Sequence, residues 1–246
     1  MTARLISIPF SHYCEKARWA LDRRGIAFVE EGHLPILHTR ATRPAGGRSV
    51  PVLVVPGGPT LTDSTDILRF ADDVGTRGER LFPPGDADAS ALEDRFDEAL
   101  GPHSRRLAYF FLLNHRPAIE ALIASADVPV FERRVAGATV PLVKFLIRRG
   151  LKISPTAAAR SRARIEEVFG EVEQRLRDGR KFLGGDHFTA ADLTFAALAA
   201  PLVIPPHYER RLIPLTSMGP AFCAEVEGWR KTVAGQFAQQ MFAAER

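Results

Sequence analysis

Cysteine is scarce: the 246 residues hold two, Cys14 and Cys223, far apart in the chain. That separation argues against a disulfide framework and offers no zinc-ligand spacing, so thiol chemistry has to use Cys14 alone or a borrowed thiol. Long hydrophobic runs are missing as well. The most apolar stretch, Leu193 to Ile204, is interrupted by Pro201, and it falls short of the ~18 unbroken apolar residues that a bilayer span requires. Met1-Thr2 leads into Ala-Arg-Leu-Ile-Ser-Ile-Pro-Phe, too short an apolar stretch for a signal peptide and better read as an immediate first strand, so a cytoplasmic protein is expected. The formal charge of +4 is modest, and no Lys/Arg block is interleaved with aromatics. Nucleic acid is therefore a poor partner, and anionic small molecules are a better one. One stretch, Glu132 to Arg164, holds nine Lys/Arg against one acid and reads as a solvated helix face. No internal repeat or low-complexity tract is present.

What is there suits two domains, each with its own core: 46% of residues are hydrophobic and 25% charged. The first part switches hydrophobic period repeatedly, as an α/β unit does, whereas the chain after Asp86 reads as helices separated by Pro and Gly. The division predicts an α/β domain over residues 1–80 and an all-α domain over 87–246, joined by Leu81-Phe82-Pro83-Pro84-Gly85-Asp86. In order, a strand is expected at Leu5–Ile8, then a helix from Tyr13 to Arg24 that stops at Gly25, a residue suited to a left-handed C-cap. A strand at Ile26–Glu30, an irregular segment from Thr39 to Ser49, a hairpin through Pro56-Gly57-Gly58-Pro59 and a helix opening at Asp63-Ser64 follow. Asp88 to His115 reads as a long helix interrupted at Gly101-Pro102, since proline removes a backbone hydrogen bond. Ala157 to Arg177 is cleanly amphipathic, and Thr189 with Asp192 forms a capping box ahead of a helix apolar on nearly every side.

The chemistry points to Pro9-Phe10-Ser11-His12-Tyr13-Cys14, where a strand hands over to a helix. Unpaired N–H groups and the helix dipole favour negative charge there, so a thiolate at that place is stabilised. A serine hydroxyl adds a donor. Taken alone, Ser11 also reads as a plain helix cap, and Cys14, one turn in, as a small buried apolar residue.

Ser11-x-x-Cys14 followed by Glu-Lys-Ala-Arg-Trp-Ala-Leu resembles the active-site segment of the glutathione transferase superfamily. Three further segments in the same order are similar to that family's motifs: Gly47-Arg48-Ser49-Val50-Pro51-Val52-Leu53, Thr62-Asp63-Ser64-Thr65-Asp66-Ile67, and Gly185-Asp186 through Asp192. The resemblance implies a thioredoxin-like N-terminal domain and an all-helical C-terminal domain, with glutathione as co-substrate and a homodimer as the assembly. It implies that Ser11 donates to the glutathione sulfur, that cis-Pro51 presents the backbone of Val50 to the tripeptide, and that Asp63 and Ser64 hold the γ-glutamyl end. Arg48 is placed to reach the glycyl carboxylate, although the family more often has a cation where Ser49 stands. Tyr13 lies beside the thiolate. An apolar electrophile is expected opposite it, with Phe10, His12, Tyr109 and Tyr208 as candidate pocket residues and no metal. Two other readings stay open, a glutathione-dependent thiol oxidoreductase acting through Cys14 and a non-catalytic glutathione-binding member. Additional material around residues 126–155 could cover the cleft or alter the dimer.

Overall fold

Strand β1 (Ala3–Ser7) runs through the chain's first buried apolar pattern and hands over to helix α1 (His12–Arg23), in the computed structural model that describes residues 2–246. Gly25 takes φ +73°, and the Ile26 amide donates 2.9 Å back to the Leu21 carbonyl, closing the helix in the left-handed manner its glycine predicts. That closure uses the amide with which the second strand was expected to begin. Strand β2 accordingly spans Phe28–Gly32 rather than Ile26–Glu30. It lies parallel to β1, while the hairpin strands β3 (Val52–Val54) and β4 (Thr60–Leu61) complete a four-stranded sheet of order β2-β1-β3-β4 with β3 antiparallel to both neighbours. Between β2 and β3 the segment expected to be irregular contains one helical turn, α2 (Thr39–Thr42), with the Thr39 hydroxyl donating 2.7 Å to the Ile36 carbonyl. Helix α3 (Ser64–Val74) is capped by Asp63, whose carboxylate accepts from the Thr65 amide at 2.8 Å.

The helical part begins with α4 (Ala87–Ala99) and α5 (Gly101–Leu112), split where Gly101-Pro102 predicts. Helices α6 (Arg116–Ser125), α7 (Val130–Ala138) and α8 (Val140–Gly150) follow, so the additional segment is itself two helices. Then come α9 (Pro155–Leu176), α10 (Ala190–Val203), α11 (Pro206–Glu209), α12 (Pro220–Arg230) and α13 (Val233–Ala244). Every residue of α10 is buried, its start fixed by the Thr189–Asp192 capping box. Phe195 of this helix meets Phe96 of α4 and Phe169 of α9 at ring-centroid distances of 5.3 and 5.5 Å, each such ring contributing about 2–3 kcal/mol by burial.

Helix α1 packs between α3 and α10 and so joins the two parts. Trp19 packs against Phe242 with the rings tilted and their centroids 4.7 Å apart. Arg24 fastens the connection: its guanidinium donates to the carbonyls of Asp72, Gly75, Arg77, Gly78 and Glu79. Asp72 accepts from the Leu81 and Phe82 amides at 2.6 and 3.2 Å. The linker is thus held along its first residues rather than swinging free.

Glu132, buried in α7, ties the additional segment to the sheet side. One oxygen accepts from the Leu34 amide at 2.8 Å and the other lies 2.6 Å from His33 Nδ1. Glu132→Ala strands the Leu34 amide and is expected to cost about 1–3 kcal/mol locally. The check is proteolytic nicking within 126–155, which should rise well before global unfolding.

Candidate functional site

Where β1 ends, Ser11 turns the chain into α1. Its backbone is extended (φ −79°, ψ 127°), and its Oγ accepts from the Cys14 amide at 3.4 Å. Accepting from that amide leaves the hydroxyl able to donate as well, and the Cys14 sulfur is one group within its reach. Ser11 opens onto a cavity of about 480 Å³ between the two halves of the molecule.

The sheet side of this cavity is formed by Ile8, Phe10, Ser11 and His12, and by Arg48, Ser49 and Val50 of the loop before β3. The Val50–Pro51 bond is cis. Helix α5 supplies Arg105, Ala108, Tyr109 and Leu112, the end of α8 supplies Ile147, Gly150 and Leu151, and α11 brings Tyr208. Of the additional helices, α8 therefore covers part of the cleft. Of the residues expected from the sequence, Phe10, Ser11, His12, Arg48, Val50, Tyr109 and Tyr208 converge here.

Tyr208 is buried, and its hydroxyl donates 2.6 Å to the Phe10 carbonyl, locking the helical part onto the strand-to-helix turn. Burial raises its pKa far above the ordinary phenol value and pushes that of Tyr109 up to about 12, so both remain protonated donors. His12 is a buried part of the cavity wall. Its Nε2 lies 3.0 Å from the Gly101 carbonyl, and burial together with the nearby Arg105 charge lowers its pKa to about 3. It is a neutral imidazole at physiological pH. His38, also lining the cavity, is shifted down by burial as well.

One expectation is corrected, and for Cys14 the buried reading holds. Tyr13 does not line the cavity: its hydroxyl donates 3.2 Å to the Asp97 carbonyl and its ring packs where only a glycine fits, a Cβ on Gly101 falling 2.1 Å from that oxygen. Cys14 is fully buried, and burial pushes its thiol pKa upward, which opposes a nucleophilic or redox part in the reaction. Asp63 and Ser64 lie at the start of α3 outside the cavity wall, with Asp63 as the cap and Ser64 as the first helical residue.

Sequence reasoning missed Arg105. The signal was present, because Arg105 and Tyr109 are four apart and share one helix face. Among the described residues no three His, Cys, Asp or Glu side chains gather as metal ligands, and no helix is long and apolar enough to cross a membrane.

No curated protein matches the chain in sequence. Solved structures match its fold from end to end. A glutathione S-transferase from Methylobacterium radiotolerans, in complex with glutathione sulfonate, is 20% identical at a TM-score of 0.55, covering 97% of this chain and 94% of that one. A transferase from Ceriporiopsis subvermispora in complex with glutathione is 18% identical at 0.64, covering 99% and 96%. A beta-etherase from Sphingobium sp. is 18% identical at 0.60, covering 98% and 99%. Residues 5–74 match the model of the glutathione S-transferase N-terminal domain and residues 155–231 that of the C-terminal domain. With both domain signatures in order on the matching fold, the chain belongs to the glutathione S-transferase superfamily.

Proposed function

We propose that this protein ionises the thiol of glutathione at the N-terminus of α1 and delivers the sulfur to a small, largely apolar electrophile in the cavity. The observation that carries the reading is the Ser11 hydroxyl, which lines an interdomain cavity at the start of α1 while accepting from the Cys14 amide. A free thiol with pKa about 8.5 is only a few per cent ionised at neutral pH; lowering it by about two units takes ~2.7 kcal/mol. Helix-terminal amides and one hydroxyl donor supply an interaction of that size.

The thiol proton leaves to solvent, the sulfur lone pair forms the new bond to carbon, and the leaving group departs with the electrons of the bond it breaks. Proximity in a covered cleft supplies much of the remaining rate. In this reading the backbone of Val50 beside Pro51 pairs with the cysteinyl part of the tripeptide. Asp63 and Ser64 hold the γ-glutamyl end, the α3 N-terminus being a place where a carboxylate is favoured, and Arg48 meets the glycyl carboxylate. The division between glutathione-holding and substrate-holding halves falls at the 81–86 linker, and the active assembly is a homodimer.

Calorimetric titration with glutathione and an assay of chlorodinitrobenzene conjugation test this reading. Binding and conjugation are both expected. In Cys14→Ala, conjugation should stay within about twofold of the parent, since the buried sulfur contributes packing alone. A loss of more than about tenfold in that variant, with its fold intact, would move the chemistry to Cys14.

A further inference from the structure

The cavity that receives the electrophile is apolar over most of its wall, yet one arginine from the middle of α5 faces it. Nε of Arg105 is buried without a hydrogen-bond partner, and no carboxylate among the described residues forms an ion pair with the side chain. The Tyr13 ring lies 5.7 Å from its guanidinium, a distance that gives a weak attraction. No Asp or Glu lines the cavity at all. An arginine cannot shed its proton, so a partly desolvated, unpaired guanidinium is a standing demand for a negative charge. His12 beside it has become neutral and cannot share that part. Arg48, the cavity's other arginine, is exposed on the loop before β3, at the end assigned above to the tripeptide.

Resting on the transferase reading, we propose that Arg105 forms an anion subsite for the second substrate, and that the preferred electrophiles are apolar compounds bearing a carboxylate or a similar oxyanion. Planar, bidentate pairing of guanidinium with carboxylate orients the electrophilic carbon toward the sulfur at Ser11 while the apolar wall holds the rest of the molecule. The same cation could instead serve the glycyl carboxylate of glutathione, and the experiment separates these sources.

Chlorodinitrobenzoate and its methyl ester are compared as electrophiles in the parent protein, in Arg105→Gln, in Arg105→Lys and in Arg116→Gln, an exposed control on α6. The parent should prefer the acid. In Arg105→Gln the acid-to-ester ratio of kcat/KM should fall about ten- to hundredfold, equivalent to ~1.4–2.8 kcal/mol, with the KM for glutathione little changed. Arg105→Lys should recover part of the ratio, and Arg116→Gln should keep it. Calorimetry with unreactive dinitrobenzoate against dinitrobenzamide reads the subsite without turnover. Arg105-dependent binding of the benzoate supports the subsite even if neither electrophile is conjugated, an outcome that counts against the transferase reading alone. Equal use of acid and ester by the parent overturns the proposal. So does a rise in the KM for glutathione with an unchanged ratio in Arg105→Gln, which would assign Arg105 to the tripeptide.

Discussion

Replacing Ser11 with alanine should lower kcat/KM for glutathione conjugation by about 10²- to 10³-fold, the usual cost of deleting one donor aimed at a reacting anion. The hydroxyl has two jobs at this position, accepting from the Cys14 amide and, in the proposed reaction, donating to sulfur. Loss of the first weakens α1 by ~1 kcal/mol with alanine but by only a few tenths with glycine, which is tolerated at an N-cap. Ser11→Gly should therefore match Ser11→Ala in lost activity while melting closer to the parent. The bound thiol should titrate higher than in the parent, part of the way back to its free value of about 8.5, in both variants, read by the ultraviolet absorbance of the thiolate. The activity deficit should shrink as pH rises, because the thiol then ionises without assistance. A deficit independent of pH would assign Ser11 to positioning rather than to ionisation.

The largest expected effect on stability lies at Lys16, whose side chain is fully buried on α1. Its ammonium pairs with Glu93 of α4, with Asp97 at 2.5 Å and with the Thr65 hydroxyl of α3 at 3.1 Å. Thr65 in turn donates 2.7 Å to Glu93, whose second oxygen has no partner. Lys16→Met leaves the Glu93 charge buried beside Asp97 without its cation, which should cost about 3–5 kcal/mol. Burial already places the Glu93 pKa above the ordinary carboxyl value, with Lys16 pulling it back down. Without Lys16 it rises further, so the folded variant keeps a proton that the unfolded chain releases. The folded state then binds more protons than the unfolded one, and stability falls as pH rises through that interval. The deficit against the parent should be greatest at neutral pH and above, and should narrow toward the unfolded carboxyl value of about 4.3. Urea unfolding at a series of pH values measures it. Glu93→Gln in the same chain should recover part of the loss, and a deficit flat across pH would show that packing rather than charge is responsible.

These two sites differ in how far the chain itself announced them. Ser11, Gly25, the hairpin and the Thr189–Asp192 box are local devices: each is completed within a few residues, so neighbouring letters suffice. The Lys16 cluster is built from a partner 77 residues away, and Glu15 of the same helix meets Arg246 across 231. Helix α1 reads as a polar helix until those partners are known, yet nine of its residues are buried. Tyr13 was misplaced for a related reason. Its neighbourhood in sequence is the thiolate site, but its orientation is set by Gly101 and Asp97 on the far side of the linker. Arg105 was overlooked although its spacing from Tyr109 puts the two on one face of α5, and the covering of the cleft expected of residues 126–155 comes from α8. The basic side chains of the run through α8 stay unburied, as read, while Ile147, Gly150 and Leu151 close the cleft.

Helix α1 has a consequence for building hybrids of this protein. It belongs by sequence to the sheet-bearing half, but much of its surface is finished by α10, α4 and the final residues of the chain. A chimaera joined at the linker would meet its foreign half across a set of buried ions and rings that must match one for one. Recombination would succeed only where donor and recipient agree at both faces of that one helix, so the halves are inherited as a couple.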